Sequence, residues 1–149
     1  MLDRQAVAED PVQVAMTTSG ARIAPLSEAT VRTFLARLDQ PAPESVDAAL
    51  GAFEEGQTLI GVAALGDRRN TGASLTIVIV PARRKLKIGS DLLHAAVAEA
   101  ASSGVKRLLV TYPEDAAGSV ALFRSSSLLT ARRRVGGEVT TVLFVPAPS

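Results

Sequence analysis

Arg83, Arg84, Lys85 and Lys87 crowd into five positions, and Gly89 and Ser90 follow directly. Ahead of them lies an almost continuously apolar run, Ala73–Val80, that stops at Pro81. Behind them Ile88, Leu92, Leu93, Ala96, Val97 and Ala100 recur on one helical face. The order is strand, basic glycine-bearing turn, helix. A helix N-terminus presents unpaired backbone N–H groups and a partial positive charge, and phosphate binds there readily. Gly89 permits close approach, Ser90 adds a hydroxyl donor, and the basic run attracts anions over a longer range. The pattern fits a pyrophosphate cradle for a nucleotide-containing ligand. A solvated basic connection between a strand and a helix would carry the same residues, so the pattern alone leaves both readings open.

Other chemistries are excluded or weakened. The chain has no cysteine, which removes disulfides, a thiol nucleophile and any Cys-ligated metal, and its one histidine, His94, cannot make a His-rich metal site. Ser125, Ser126 and Ser127 have no paired histidine or acid to activate them. A net charge of +1 argues against a general nucleic-acid binder. Aromatic residues at 3%, with no tryptophan, leave no stacking platform for single strands. No apolar stretch approaches the roughly 20 residues of a membrane span, and the N-terminus lacks the basic-then-apolar order of a signal peptide. A cytoplasmic location is expected.

The 149 residues suit one domain. Residues 1–19 show no clear period and are expected to form a flexible arm, with a short strand at Val12–Met16, leaving 20–149 as a single domain. Ala21–Pro25 alternates like a strand. Ser27 reads as an N-cap for a helix carrying Val31, Phe34, Leu35 and Leu38, which Pro41 and Pro43 stop. A second helix is expected from about Val46 to Phe53, ending at Gly56. Thr58–Leu65 reads as a strand, Gly66–Gly72 as a polar hairpin turn, and Ala73–Val80 as a central strand buried on both faces. After the helix that Gly104 closes come a strand at Lys106–Tyr112 and a helix from Glu114 to about Ser126. A hairpin, Ala131–Val135 with Glu138–Val145, then turns across Gly136-Gly137. The sum is an α/β (α+β) domain, a mixed sheet covered by helices.

The stretch from Ile79 to Gly89 resembles the signature of the GNAT superfamily of acyl-CoA-dependent N-acyltransferases. That signature is a strand ending in Val-x-Pro, then Arg-x-x-Gly-x-Gly/Ala at a helix start. Ile79-Val80-Pro81, Arg84 and Ile88-Gly89 match it, and the element order from Ala21 to Val145 agrees. The resemblance implies a mostly antiparallel sheet in which two central strands, Ala73–Val80 and Lys106–Tyr112, lie parallel and splay apart. Acetyl-CoA or another acyl-CoA would be the co-substrate, with no metal. Its pantetheine arm would lie along Ile79 and Val80, where a backbone N–H polarises the thioester carbonyl. Its pyrophosphate would sit on Arg84, Lys85, Lys87, Ile88, Gly89 and Ser90. A small-molecule or protein amine would approach over the first helices and the final hairpin, which is also a reasonable place for a homodimer contact.

The chain departs from the family pattern at several points. Lys87 stands at the first glycine of the cradle, and Asp91 lies close to the helix start. In the helix from Glu114, Ala116 stands where members often carry Asn, Ser119 at the Ala, Phe123 at the tyrosine that often protonates the departing thiolate, and Ser127-Leu128 at a Gly-Phe pair. Tyr112, the only tyrosine, is the candidate replacement acid. Candidate bases for the amine are Glu54, Glu55 and His94. Arg132–Arg134 could bind an acidic acceptor or simply protect a strand edge. These departures keep a second reading open, a catalytically degenerate module that senses CoA or binds a protein partner.

Overall fold

The computed structural model describes residues 21–54, 57–81, 87–113, 122 and 130–146. The expected arm over residues 1–19, the strand at Val12–Met16, and all of the expected helix from Glu114 except Leu122 lie outside the described residues. In chain order the elements are β1 (Arg22–Pro25), α1 (Glu28–Arg37), β2 (Ala48–Glu54), β3 (Thr58–Arg69) and β4 (Gly72–Ile79). They continue with α2 (Ile88–Ser102), β5 (Arg107–Pro113), β6 (Thr130–Val135) and β7 (Glu138–Phe144). The strands form one seven-stranded sheet in the order β1-β2-β3-β4-β5-β7-β6. Every neighbouring pair is antiparallel except β4 and β5.

Ser27 starts α1 as expected. Its Oγ accepts from the Thr30 N–H at 3.2 Å, which satisfies one of the helix's orphan donors. Val31, Phe34 and Leu35 turn to the sheet and pack with Ala49, Val62 and Ala64. On the opposite face α2 buries Ile88, Leu92, Leu93, Ala96 and Ala100 against Leu50, Ala52, Ala63, Leu65, Leu75 and Leu108. Strand alternation separates the two cores: Ala49, Val62 and Ala64 face α1, while Leu50, Ala63 and Leu65 face α2.

The expected helix at Val46–Phe53 is instead the strand β2. The Ala-rich run satisfies helix propensity, but tertiary position overrides it. Ala49, Leu50, Gly51 and Ala52 are buried between two strands and under helices on both faces, and small residues are what such a layer admits. A Cβ on Gly51 would come within 2.7 Å of Leu59 and 2.8 Å of Leu26. The expected turn at Gly66–Gly72 is also shorter than its glycines suggest. β3 runs on to Arg69, the pairing shifts between Gly66 and Arg69, and the chain turns at Asn70-Thr71. Gly66 serves close approach, because a Cβ there would collide with the Ser45 carbonyl oxygen. The final hairpin turns on Gly136 (φ 59°) and Gly137 (φ 84°), both in the region a tight two-residue hairpin requires.

Candidate functional site

β4 and β5 are paired only at their beginnings: Gly72 with Arg107, Ala73 with Leu108, Ser74 with Leu109. Beyond that point the two strands no longer pair with each other, and among the described strands each stays with its outer neighbour. Leu75–Ile79 stays on β3, and Val110–Pro113 stays on β7. The sheet therefore opens into a V toward the C-terminal ends of two parallel strands. This explains why β4 is not buried on both faces as its apolar run suggests. Ala73 and Leu75 are buried, but Thr76 to Val80 are half-buried. The Val80 N–H donates to the Ile60 carbonyl at 2.9 Å, toward β3. Peptide groups alternate sides along a strand, so the N–H of Ile79 is turned toward the V.

The first turn of α2 closes over the end of β4. Ile88 is buried, and Gly89 and Ser90 are half-buried. A Cβ on Gly89 would lie 3.2 Å from Ile79 Cδ1 and 3.5 Å from Leu122 Cδ2. Gly89 thus brings the helix N-terminus against the strand end at the V. Lys87 caps the helix in a left-handed conformation (φ 62°) with no side-chain cap bond, and its side chain is exposed. The backbone keeps a glycine-like turn at the position where the family has glycine, although the residue is lysine. Arg84 and Lys85 lie outside the described residues.

Tyr112 sits near the end of β5, 5% exposed. Its hydroxyl is 2.9 Å from Thr141 Oγ1 on β7, and Thr141 is completely buried. Sequence reasoning missed Thr141, yet a signal was present: it takes the inward phase of β7 between Val139 and Leu143. Glu54 does not end a helix. It ends β2, half-buried opposite Thr58, and Glu55 lies outside the described residues. His94 is exposed on α2. Arg132, Arg133 and Arg134 lie on β6, an edge strand whose six residues are all exposed. Among the described residues no group of His, Cys, Asp or Glu side chains could hold a metal ion. No helix among them is long and apolar enough to cross a membrane.

Beside the V, an open groove of about 250 Å³ follows one side of α1, lined by Ala29, Thr30, Thr33, Phe34, Arg37 and Leu59. Leu59 precedes Gly61, which pairs with Ile79, and it packs against the same core cluster as Val78 and Val80, so the groove reaches the end of β4. It was not anticipated from the sequence.

The profile of the Acetyltransferase (GNAT) family matches residues 17–126, more than half of the chain. The chain belongs to the GNAT family. Solved structures agree with the GNAT fold. A Klebsiella pneumoniae protein described as a candidate acyl-CoA N-acyltransferase is similar at 18% identity and TM-score 0.70, over 85% of this chain and 99% of that one. An Escherichia coli N-acetyltransferase of a ribosomal-protein alanine matches at 17% identity and TM-score 0.63, over 87% and 96%. The spermidine/spermine N-acetyltransferase SpeG of Vibrio cholerae matches at 10% identity and TM-score 0.62, over 84% and 93%. No curated protein sequence matches the chain. In this GNAT chain the parallel pair and its opening stand where the family resemblance led one to expect them.

Proposed function

We propose that this chain transfers an acyl group, acetyl in the simplest case, from CoA to an amine by direct attack. The observation that carries the reading is the V between β4 and β5 with the N-terminus of α2 closing its end. The pantetheine arm lies along Ile79 and Val80, and the Ile79 N–H meets the thioester carbonyl as it gains negative charge. The pyrophosphate rests on the first turn of α2, at Lys87, Ile88, Gly89 and Ser90, with Arg84 and Lys85 adding charge.

The amine nitrogen attacks the carbonyl carbon, the C–N bond forms, and the C–S bond breaks. The amine gives up its proton to Glu54 or to water. The thiolate takes one from Tyr112 or from water, which a fair leaving group tolerates. The cytoplasm is the expected setting. The wholly exposed edge strand β6, with its Val135 and the neighbouring Phe144 of β7 among the exposed large apolar residues, supports a homodimer contact at the hairpin.

A second reading is a CoA-binding module without turnover. It is favoured by Phe123 at the usual acid position and by the Tyr112 hydroxyl being engaged with Thr141. Incubation with acetyl-CoA and a mixed panel of amines, followed by mass spectrometry, separates the two. Acetylated amine with an equal amount of free CoA supports transfer. Tight acetyl-CoA binding with no product supports the module.

A further inference from the structure

We infer that the groove beside α1 receives an acceptor amine that also carries a carboxylate, with Arg37 as the anchor for that carboxylate. The inference rests on the acyltransferase reading of the neighbouring V and adds a substrate class to it.

α1 has two long sides, and its two arginines on them are treated differently. On one side Arg32 is fully committed. It bonds Glu28 at 2.8 Å through Nε and at 2.7 Å through Nη2, and it donates to the carbonyls of Pro43 at 3.1 Å and Glu44 at 3.0 Å. On the other side Ala29, Thr30, Thr33, Phe34 and Arg37 form one helical stripe that lines the groove opposite Leu59. Arg37 makes no ion pair or side-chain hydrogen bond among the described residues. It is the one charged group among the described lining residues, and no carboxylate stands with it.

A cationic acceptor such as a polyamine would meet a like charge there and find no acid among the described lining residues. A carboxylate would meet a planar guanidinium whose forked donors suit it. Phe34, Leu59 and Ala29 provide an apolar wall for the rest of the molecule. The groove is below the roughly 300–1,000 Å³ typical of drug-sized sites, which suits a small acceptor. Its Leu59 end lies two residues before Gly61, which pairs with Ile79, so an amine held by its carboxylate at Arg37 extends toward the end of β4, where the thioester would lie.

The test uses the free amino acids leucine, methionine and phenylalanine, each beside its carboxamide, titrated into isotope-labelled full-length protein. Backbone resonances of Thr30, Thr33 and Arg37 report the groove directly, without turnover. The carboxylates should shift these resonances and bind about tenfold or more tightly than their carboxamides, as expected for a charge-assisted pair. Arg37→Gln should erase that preference, and Arg32→Gln, on the far side of α1, should retain it. Equal binding of the twins, or no response at α1 to any of the carboxylates, would overturn the inference. Acetyl-CoA titrated into the same samples keeps the two readings apart. Acetyl-CoA binding without a carboxylate response sinks the substrate class and spares the acyltransferase. A carboxylate response without acetyl-CoA binding does the reverse.

Discussion

The two halves of β4 differ in sequence and in neighbours: Gly72-Ala73-Ser74 is small, and Leu75–Ile79 is almost wholly apolar. Gly72–Ser74 is paired on both sides, with β3 and with β5. Among the described strands Leu75–Ile79 is paired with β3 and not with β5. In the first half Ala73 serves the core. In the second half Leu75 is still buried, while Thr76–Ile79 are half-buried along the open side of the sheet. What differs is the course of β5, which follows β7 once Leu109 is passed. The cleft in this sheet is thus made where a strand pairing ends and a helix N-terminus comes against the strand end.

The sharpest way to break this comparison is to damage the two halves separately. Leu108→Ala strikes the paired half, where Leu108 is completely buried. It should cost about 2–5 kcal/mol of stability, read by urea unfolding, while the folded fraction keeps its acetyl-CoA affinity. Gly89→Leu strikes the open half. The new side chain meets Ile79 and Leu122 and fills the cradle, so acetyl-CoA affinity should fall at least tenfold, about 1.4 kcal/mol, by calorimetry. An unchanged affinity for Gly89→Leu would place the ligand elsewhere.

Smaller changes sharpen the picture. Tyr112→Phe and Thr141→Val each remove the bond between the two buried hydroxyls and should each cost about 1–3 kcal/mol. The double variant should cost less than their sum, because both single changes lose the same bond. Turnover separates packing from chemistry in the same variants. A fall of about a hundredfold or more for Tyr112→Phe assigns the acid to Tyr112, and an unchanged rate assigns it to water. The smallest expected effect is at Lys87. Lys87→Gly removes a charge near the phosphates and should weaken acetyl-CoA by about 0.3–1 kcal/mol in low salt. Thermal stability should hold or rise slightly, because glycine relieves the φ of 62°. Tighter binding by this variant would show that the lysine crowds the cradle.

Much of this arrangement was legible in the residues. Ser27, the apolar spacing of α2, the β-rich run before Pro81 and the Gly136-Gly137 turn each carry a local physical signal, and each element stands within a few residues of its expected place. β2 was illegible because alanine favours helices locally, while its place between two helices depends on partners far along the chain. Gly66 looked like turn punctuation, yet its role is set by the Ser45 carbonyl, which no local pattern reveals. In the candidate site, Gly89 at a helix start was readable from the motif. The Tyr112–Thr141 pair depends on the register of β5 against β7, and the Arg37 groove depends on which side of α1 meets Leu59. Both are products of packing.

The central claim is that the opening of the sheet beside α2 binds an acyl-CoA. Calorimetric titration of the purified protein with acetyl-CoA tests it most directly. The account predicts saturable binding in the micromolar range that Gly89→Leu removes. No heat of binding at millimolar acetyl-CoA would contradict it, and the cleft would then have to be explained without a CoA ligand.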